Sequence, residues 1–121
     1  MTVRKMATLA MLIILVTHTA HAATLVTPAL PKGVGIGYQC GVVNTSTKDS
    51  DAVLFEIVGE AGAVISTNTF TIPAGATRSI ASAGGAGLNY CRVTGISKSK
   101  ARVTFCVRDS SFGCIQSTTA P

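Results

Sequence analysis

Ala52-Val53-Leu54-Phe55-Glu56-Ile57-Val58 decides how this chain is read. Val53, Phe55 and Ile57 fall on one side of a period of two and Glu56 on the other, the signature of a half-buried strand. On its N-terminal side Asn44-Thr45-Ser46-Thr47-Lys48-Asp49-Ser50 is a polar loop of turn formers, and Ile36 to Val43 before it reads as a first strand. On its C-terminal side Gly59-Glu60-Ala61-Gly62 is a hairpin connection into Ala63 to Ile72, where Val64, Ile65, Phe70 and Ile72 are expected in the core. Pro73-Ala74-Gly75 turns the chain toward a short strand, Thr77 to Ala81. Ser82 to Gly87, with glycines at 84, 85 and 87, is too flexible for the interior of an element. Leu88 to Gly95, Ala101 to Arg108 and Ile115 to Thr119 complete the set. No stretch has a helical period, so about seven short strands with regular turn signals predict an antiparallel β-sandwich.

The N-terminus has a different character. Arg4 and Lys5 precede an apolar run from Met6 to Val16, broken only by Thr8, and Ala20-His21-Ala22 offers small residues where signal peptidase reads them. Residues 1–22 are therefore expected to be a cleavable signal peptide, since a spanning helix needs about 18 to 20 apolar residues and this run is far shorter. No cysteine lies near the cut to accept a lipid. Residues 23–35, with Pro28, Pro31 and Gly33, read as an extended leader, and residues 36–121 as the sandwich domain. The expected address is secreted or periplasmic, with no membrane span in the mature protein.

Removing 22 of 121 residues leaves 99, enough for one domain, with eight Lys and Arg against five Asp and Glu. That mild excess is far below the charge of a dedicated nucleic-acid binder. Both histidines, His18 and His21, leave with the signal. Without them a Ser/His/Asp or Cys/His nucleophile has no base, and the common His-containing zinc sites have no ligand. The carboxylates Asp49, Asp51, Glu56, Glu60 and Asp109 suggest no glycosidase dyad, and Asp49-Ser50-Asp51 beside Asn44 lacks the glycine turn and terminal Glu of an EF-hand. The glycines at 33, 35 and 37, and those at 84 to 87, do not sit between a strand and a helix, where such runs cradle phosphate. No enzyme, cofactor or metal is expected.

Cys40, Cys91, Cys106 and Cys114 are an even set in an exported domain, without a C-x-x-C knuckle, and predict two disulfides. Strand parity sorts them. Cys40 alternates with Tyr38 and Val42, and Cys91 with Val93, so both point inward. Cys106 alternates with Arg102 and Thr104, opposite Val103, Phe105 and Val107, and points outward. The preferred pairing is Cys40 with Cys91 and Cys106 with Cys114.

Two surface features are candidates for binding. Lys98, Lys100, Arg102 and Arg108, with Arg92 on the neighbouring strand, predict a basic stripe on one sheet face or edge that could meet an anionic envelope surface. Without interleaved exposed aromatics, the same charges read more simply as ones that blunt a strand edge. The second is the loop from Val107 to Gly113, tethered by Cys106 and Cys114, which would hold Arg108, Asp109 and Phe112 toward a partner protein as inhibitor loops do. Asn44-Thr45-Ser46 also matches a glycosylation acceptor.

The order Cys40-Gly-Val-Val-Asn44, Gly62-Ala-Val-Ile, Phe70-Thr-Ile-Pro-Ala-Gly75, Tyr90-Cys91-Arg92-Val93, then Cys106-Val-x-Asp109 with Cys114, resembles small exported bacterial proteins with an immunoglobulin-like sandwich and no assigned function. The likeness runs from about residue 36 onward and implies fold and compartment without an active site. Tyr90 stands directly before Cys91 rather than two residues before it, and there is no Trp, so two marks of antibody domains are missing. The expectation is a binding, adhesion or envelope-accessory module, with the inhibitor or effector role as its alternative.

Overall fold

A computed structural model describes residues 23–111 and 113–121. The expected signal peptide lies outside the described residues, as does Phe112. The described chain is all-β, with strands β1 (Thr24–Val26), β2 (Leu30–Pro31), β3 (Gly37–Asn44), β4 (Ala52–Val58), β5 (Val64–Thr71), β6 (Thr77–Ser82), β7 (Leu88–Thr94), β8 (Ala101–Arg108) and β9 (Cys114–Thr119). The last seven match the seven predicted from sequence to within a residue or two at their ends.

They form two antiparallel sheets. Sheet I has the order β1-β7-β4-β5, with β2 also pairing β7, and sheet II the order β6-β3-β8-β9. The alternation that opened the sequence reading is realised on β4, where Val53, Phe55 and Ile57 are fully buried. They face Tyr38, Cys40 and Val42 of β3 and Val103, Phe105 and Val107 of β8 in one continuous core. Tyr38 stacks on Phe105 at 5.0 Å between ring centroids, and Phe55 meets Phe70 edge-on at 5.2 Å. Such ring pairs add about 1 kcal/mol each beyond the area they bury.

Two expectations are corrected. Residues 23–35 are extended but are not a leader set apart from the domain. Ala23 O accepts Gly95 N, β1 pairs with β7 from Thr94 to Arg92, and β2 continues along it to Leu88. Between them Thr27 uses backbone and side chain together, its N donating to Cys91 O and its Oγ1 accepting from Cys91 N, both at 3.0 Å. The strap also buries Leu30 and packs Leu25 on the core, which explains why a Pro-containing segment stays ordered. The second correction concerns β5. Phe70 and Ile72 join the core as predicted, but Val64 and Ile65 remain 44% and 38% exposed. Ile65 has the opposite parity to Phe70, and the irregularity between Ile57 and Val58, where Ser66 and Val64 take successive partners, turns Val64 out of step with Phe70 as well.

Both disulfides pair as predicted. Cys40–Cys91 joins β3 to β7, one strand from each sheet, and both cysteines are fully buried. Cys106–Cys114 joins neighbouring strands of sheet II. Cys106 is covered but stands outside the core cluster, opposite Gln39 and Ser117, as its outward parity requires.

Candidate functional site

The β8–β9 hairpin and its surroundings form the best-defined surface feature. Asp109 follows the last residue of β8, and its Oδ1 accepts three hydrogen bonds: Ser111 N at 3.0 Å, Ser111 Oγ at 2.7 Å and Gly113 N at 3.0 Å. Asp109 N in turn donates to Gly113 O at 3.0 Å. An aspartate that collects donors in this way closes a turn on itself, and those bonds hold its carboxyl below the usual carboxylate range, Ser111 contributing most. Directly beneath, Cys106–Cys114 staples the two strands at 5.6 Å between Cα atoms. Asp109 Oδ1 thus holds the loop in place.

The segment before β3 lies against this hairpin. Ile36 N donates to Arg108 O at 2.8 Å, and Gly35 N closes a turn on Lys32 O at 2.9 Å. A Cβ at Gly35 would collide with Val107, which is why the chain needs glycine there. Val34 and Ile36 flank that glycine and are left 94% and 54% exposed. On the far side Lys32 Nζ reaches Ala83 O at 3.3 Å. A shallow groove of about 300 Å³ runs between these segments, lined by Ile36, Tyr38, Ser82, Ala83 and Arg108.

A buried polar network supports the pole from below. Tyr38 OH donates to Leu30 O at 3.0 Å and accepts Asn89 Nδ2 at 3.2 Å. Asn89 also donates to Gly85 O and Gly87 O and accepts Gly85 N at 3.1 Å. Burial pushes the Tyr38 phenol above its ordinary range, so it stays a neutral donor. Gly84, at φ +77°, lies where a Cβ would enter the Tyr38 ring. The glycine-rich loop that looked only flexible in sequence is thereby tied to the core.

The basic stripe does not form. β7 and β8 belong to different sheets, so Arg92 lies on the outside of sheet I, away from the others. There it makes a two-point ion pair with Glu56, Nε to Oε1 at 3.0 Å and Nη2 to Oε2 at 3.2 Å. Lys98 and Lys100 sit in the exposed β7–β8 loop, and Arg102 and Arg108 mark opposite ends of β8, about 20 Å apart at ordinary strand rise. Nor do these charges blunt an edge, since β8 lies between β3 and β9. Parity was read correctly within each strand, but it carries no information about which sheet a strand joins.

At the opposite pole an open basin of about 870 Å³ is bounded by the β3–β4 and β7–β8 loops, including Ser46, Asp49, Asp51, Ile96, Ser97 and Lys100. Its organiser is Asn44, fully buried, whose Nδ2 donates to Lys48 O at 2.8 Å and Ile72 O at 2.9 Å while Oδ1 accepts Ser46 N and Oγ. Both amide hydrogens are committed, so the Asn44-Thr45-Ser46 match is a structural knot and not an accessible acceptor. Asp49 Oδ1 is taken by Ala74 N at 3.0 Å. Among the described residues no group of three His, Cys, Asp or Glu is placed to hold a metal ion, and no helix is long and apolar enough to cross a membrane.

Sequence reasoning missed the two buried asparagines and the Val34–Ile36 pair. A signal for the asparagines existed: Asn44 shares parity with Cys40 and Val42, and Asn89 with Cys91 and Val93, and an amide at core parity must find partners. No family model matches this chain, and neither the curated proteins nor the solved structures contain a match to it.

Proposed function

We propose that this chain is an extracytoplasmic, non-enzymatic binding module that meets a protein partner through the pole built from residues 32–36, 108–111 and 113. The observation that carries this reading is the contrast at that pole. The hairpin has two independent locks, the disulfide and Asp109, while Val34 and Ile36 beside it are left in water. Rigid loops lose little entropy when a partner docks, and exposed β-branched residues supply apolar area to bury. The two disulfides agree with an oxidising compartment and with the export signal read at residues 1–22. Three of the five carboxylates are engaged within the fold, Glu56 by Arg92, Asp49 by a loop amide and Asp109 by its own turn, which supports the non-enzymatic reading.

The proposed plan is immunoglobulin-like in its interior and altered at its ends. With the bridged β3 and β7 taken as strands B and F, β4 lies beside β7 as C lies beside F, and β6 beside β3 as E beside B. The terminal strands are exchanged, β1 beside β7 and β8 beside β3.

The test is capture from the envelope fraction of the source cells. Wild type and a control altered at the far pole, Thr47→Asp, are expected to retain the same partner, and Val34→Asp with Ile36→Asp to lose it. Equal capture by all three would overturn the assignment of the pole.

A further inference from the structure

The two bridges differ in how a thiol from outside can reach them. Cys40 and Cys91 are both fully buried between the sheets, so their bond is reached only when the core opens. In the outer bridge Cys106 is 3% exposed, but Cys114, the first residue of β9, is an exposed residue. The ladder is irregular at the same place. Val107 pairs with Gln116 and Arg108 with Cys114, which leaves Ile115 over at the step that the bridge spans. Beyond that step the hairpin is closed by the Asp109 turn. Before it, from Thr104 opposite Thr119 to Val107 opposite Gln116, the register is regular and does not need the bridge. The outer bond is therefore open to attack from one side in the folded protein, and the stretch it fixes is short.

We propose that Cys114 Sγ is a site of thiol–disulfide exchange, at which an external dithiol opens Cys106–Cys114 while Cys40–Cys91 and the sandwich stay intact. One thiolate of the dithiol attacks Cys114 Sγ and forms a mixed disulfide. The Cys106–Cys114 bond breaks, its electron pair passes to Cys106 Sγ, and that sulfur takes a proton from water. The second thiolate of the dithiol then displaces Cys114 Sγ, which is protonated in turn. The bridge gains two electrons and becomes two thiols, and the dithiol becomes a disulfide. Access decides which sulfur is attacked, and it is Cys114 that is exposed and Cys106 that is covered. With the bridge open the hairpin keeps the Asp109 turn alone of its two locks, and the stretch from Arg108 through the start of β9 loosens. The exchange site stands on exposure and register. Its consequence for partner capture rests on the pole proposed above, which reduction would make less rigid.

The order of opening is read on wild type exposed to dithiothreitol under native conditions, quenched in acid, then unfolded, alkylated and mapped by mass spectrometry. Cys106 and Cys114 are expected to become free thiols about a hundredfold faster than Cys40 and Cys91, which wait for global unfolding. Reduced glutathione in place of dithiothreitol should leave its mixed disulfide on Cys114 and the free thiol on Cys106. Hydrogen exchange of the protein with only the outer bridge open should accelerate about tenfold or more in the hairpin and stay unchanged at Val93 and Phe105. Equal rates for the two bridges, glutathione found on Cys106, or unchanged exchange in the hairpin each overturn the proposal. Capture from the envelope fraction, with dithiothreitol first removed, then tests the consequence. Opened protein is expected to retain several-fold less partner than wild type and to regain it on reoxidation. Full capture by protein whose outer bridge is open would overturn the reading of the pole and leave the exchange site standing.

Discussion

The two disulfides span similar Cα distances, 5.8 Å for Cys40–Cys91 and 5.6 Å for Cys106–Cys114, yet they act on different levels of the structure. The first ties the two sheets through the middle of the core, closes a separation of 51 residues, and lies under the strap at Thr27. The second closes a separation of eight within one hairpin, on the outside of sheet II. A bridge between sheets restricts the unfolded chain as a whole, and a bridge within a hairpin mainly fixes one loop. The comparison separates what makes this chain fold from what makes one end of it presentable.

The largest expected effect falls on the inner bridge. By loop entropy Cys40→Ser should cost about 4 kcal/mol, and the outer-bridge variant Cys114→Ser about 2.6 kcal/mol. Urea denaturation of the two variants checks the order, and equal midpoints would break the comparison. Their reach should differ as well. Cys40→Ser should loosen amides in both sheets, while the exchange added by Cys114→Ser should concentrate in β9 and the hairpin.

A third substitution tests whether the core side also supports the pole. Asn89→Ala leaves Gly85 N and the carbonyls of Gly85 and Gly87 without their partner, a loss of about 2 kcal/mol for a buried group of this kind. Because Asn89 binds the 84–87 loop and Tyr38 together, added exchange should appear at Gly84 to Gly87 before it appears in β8. Exchange confined to β8 and β9 instead would show that the two ends of the comparison are not linked through this network.

How far the chain could be read follows the range of each signal. Strand positions, inward and outward cysteines and the disulfide pairing were legible because a period of two is local, and because Cys40, Cys91 and Cys106 each stand among residues of clear polarity. The division of strands between sheets was not, and the basic stripe failed there: Arg92 and Arg102 share outward parity but face opposite sides of the sandwich. The strap was missed because Pro28 and Pro31 read as loop signals, whereas Thr27 and Leu30 satisfy that segment through residues about 60 positions away along the chain. The exposure of Val34 and Ile36 follows from the close approach of Gly35 to Val107, a tertiary contact with no trace in composition.

The smallest expected effect belongs to the tip and concerns pH. Asp109 has its carboxyl pKa lowered in the folded state by Ser111 and by the Gly113 amide, so the folded loop favours the ionised form more than the unfolded chain does. The stabilisation is therefore fully present above the ordinary aspartate range and is lost as pH falls through the lower, folded value. Asp109 lies at the surface, and solvent screens its contribution, so the effect should be local to the hairpin and leave global unfolding nearly unchanged. Exchange at Ser111 and Gly113, corrected for its intrinsic pH dependence, should accelerate below about pH 4 in wild type. In Asp109→Asn it should be faster at neutral pH and show no such step. The inner bridge has no titrating partner of this kind, so protection at Val93 and Phe105 should stay flat over the same range. A parallel loss of protection at both places would mean that the tip and the core unfold as one unit, and that the outer bridge contributes to the fold as much as to the display of its loop.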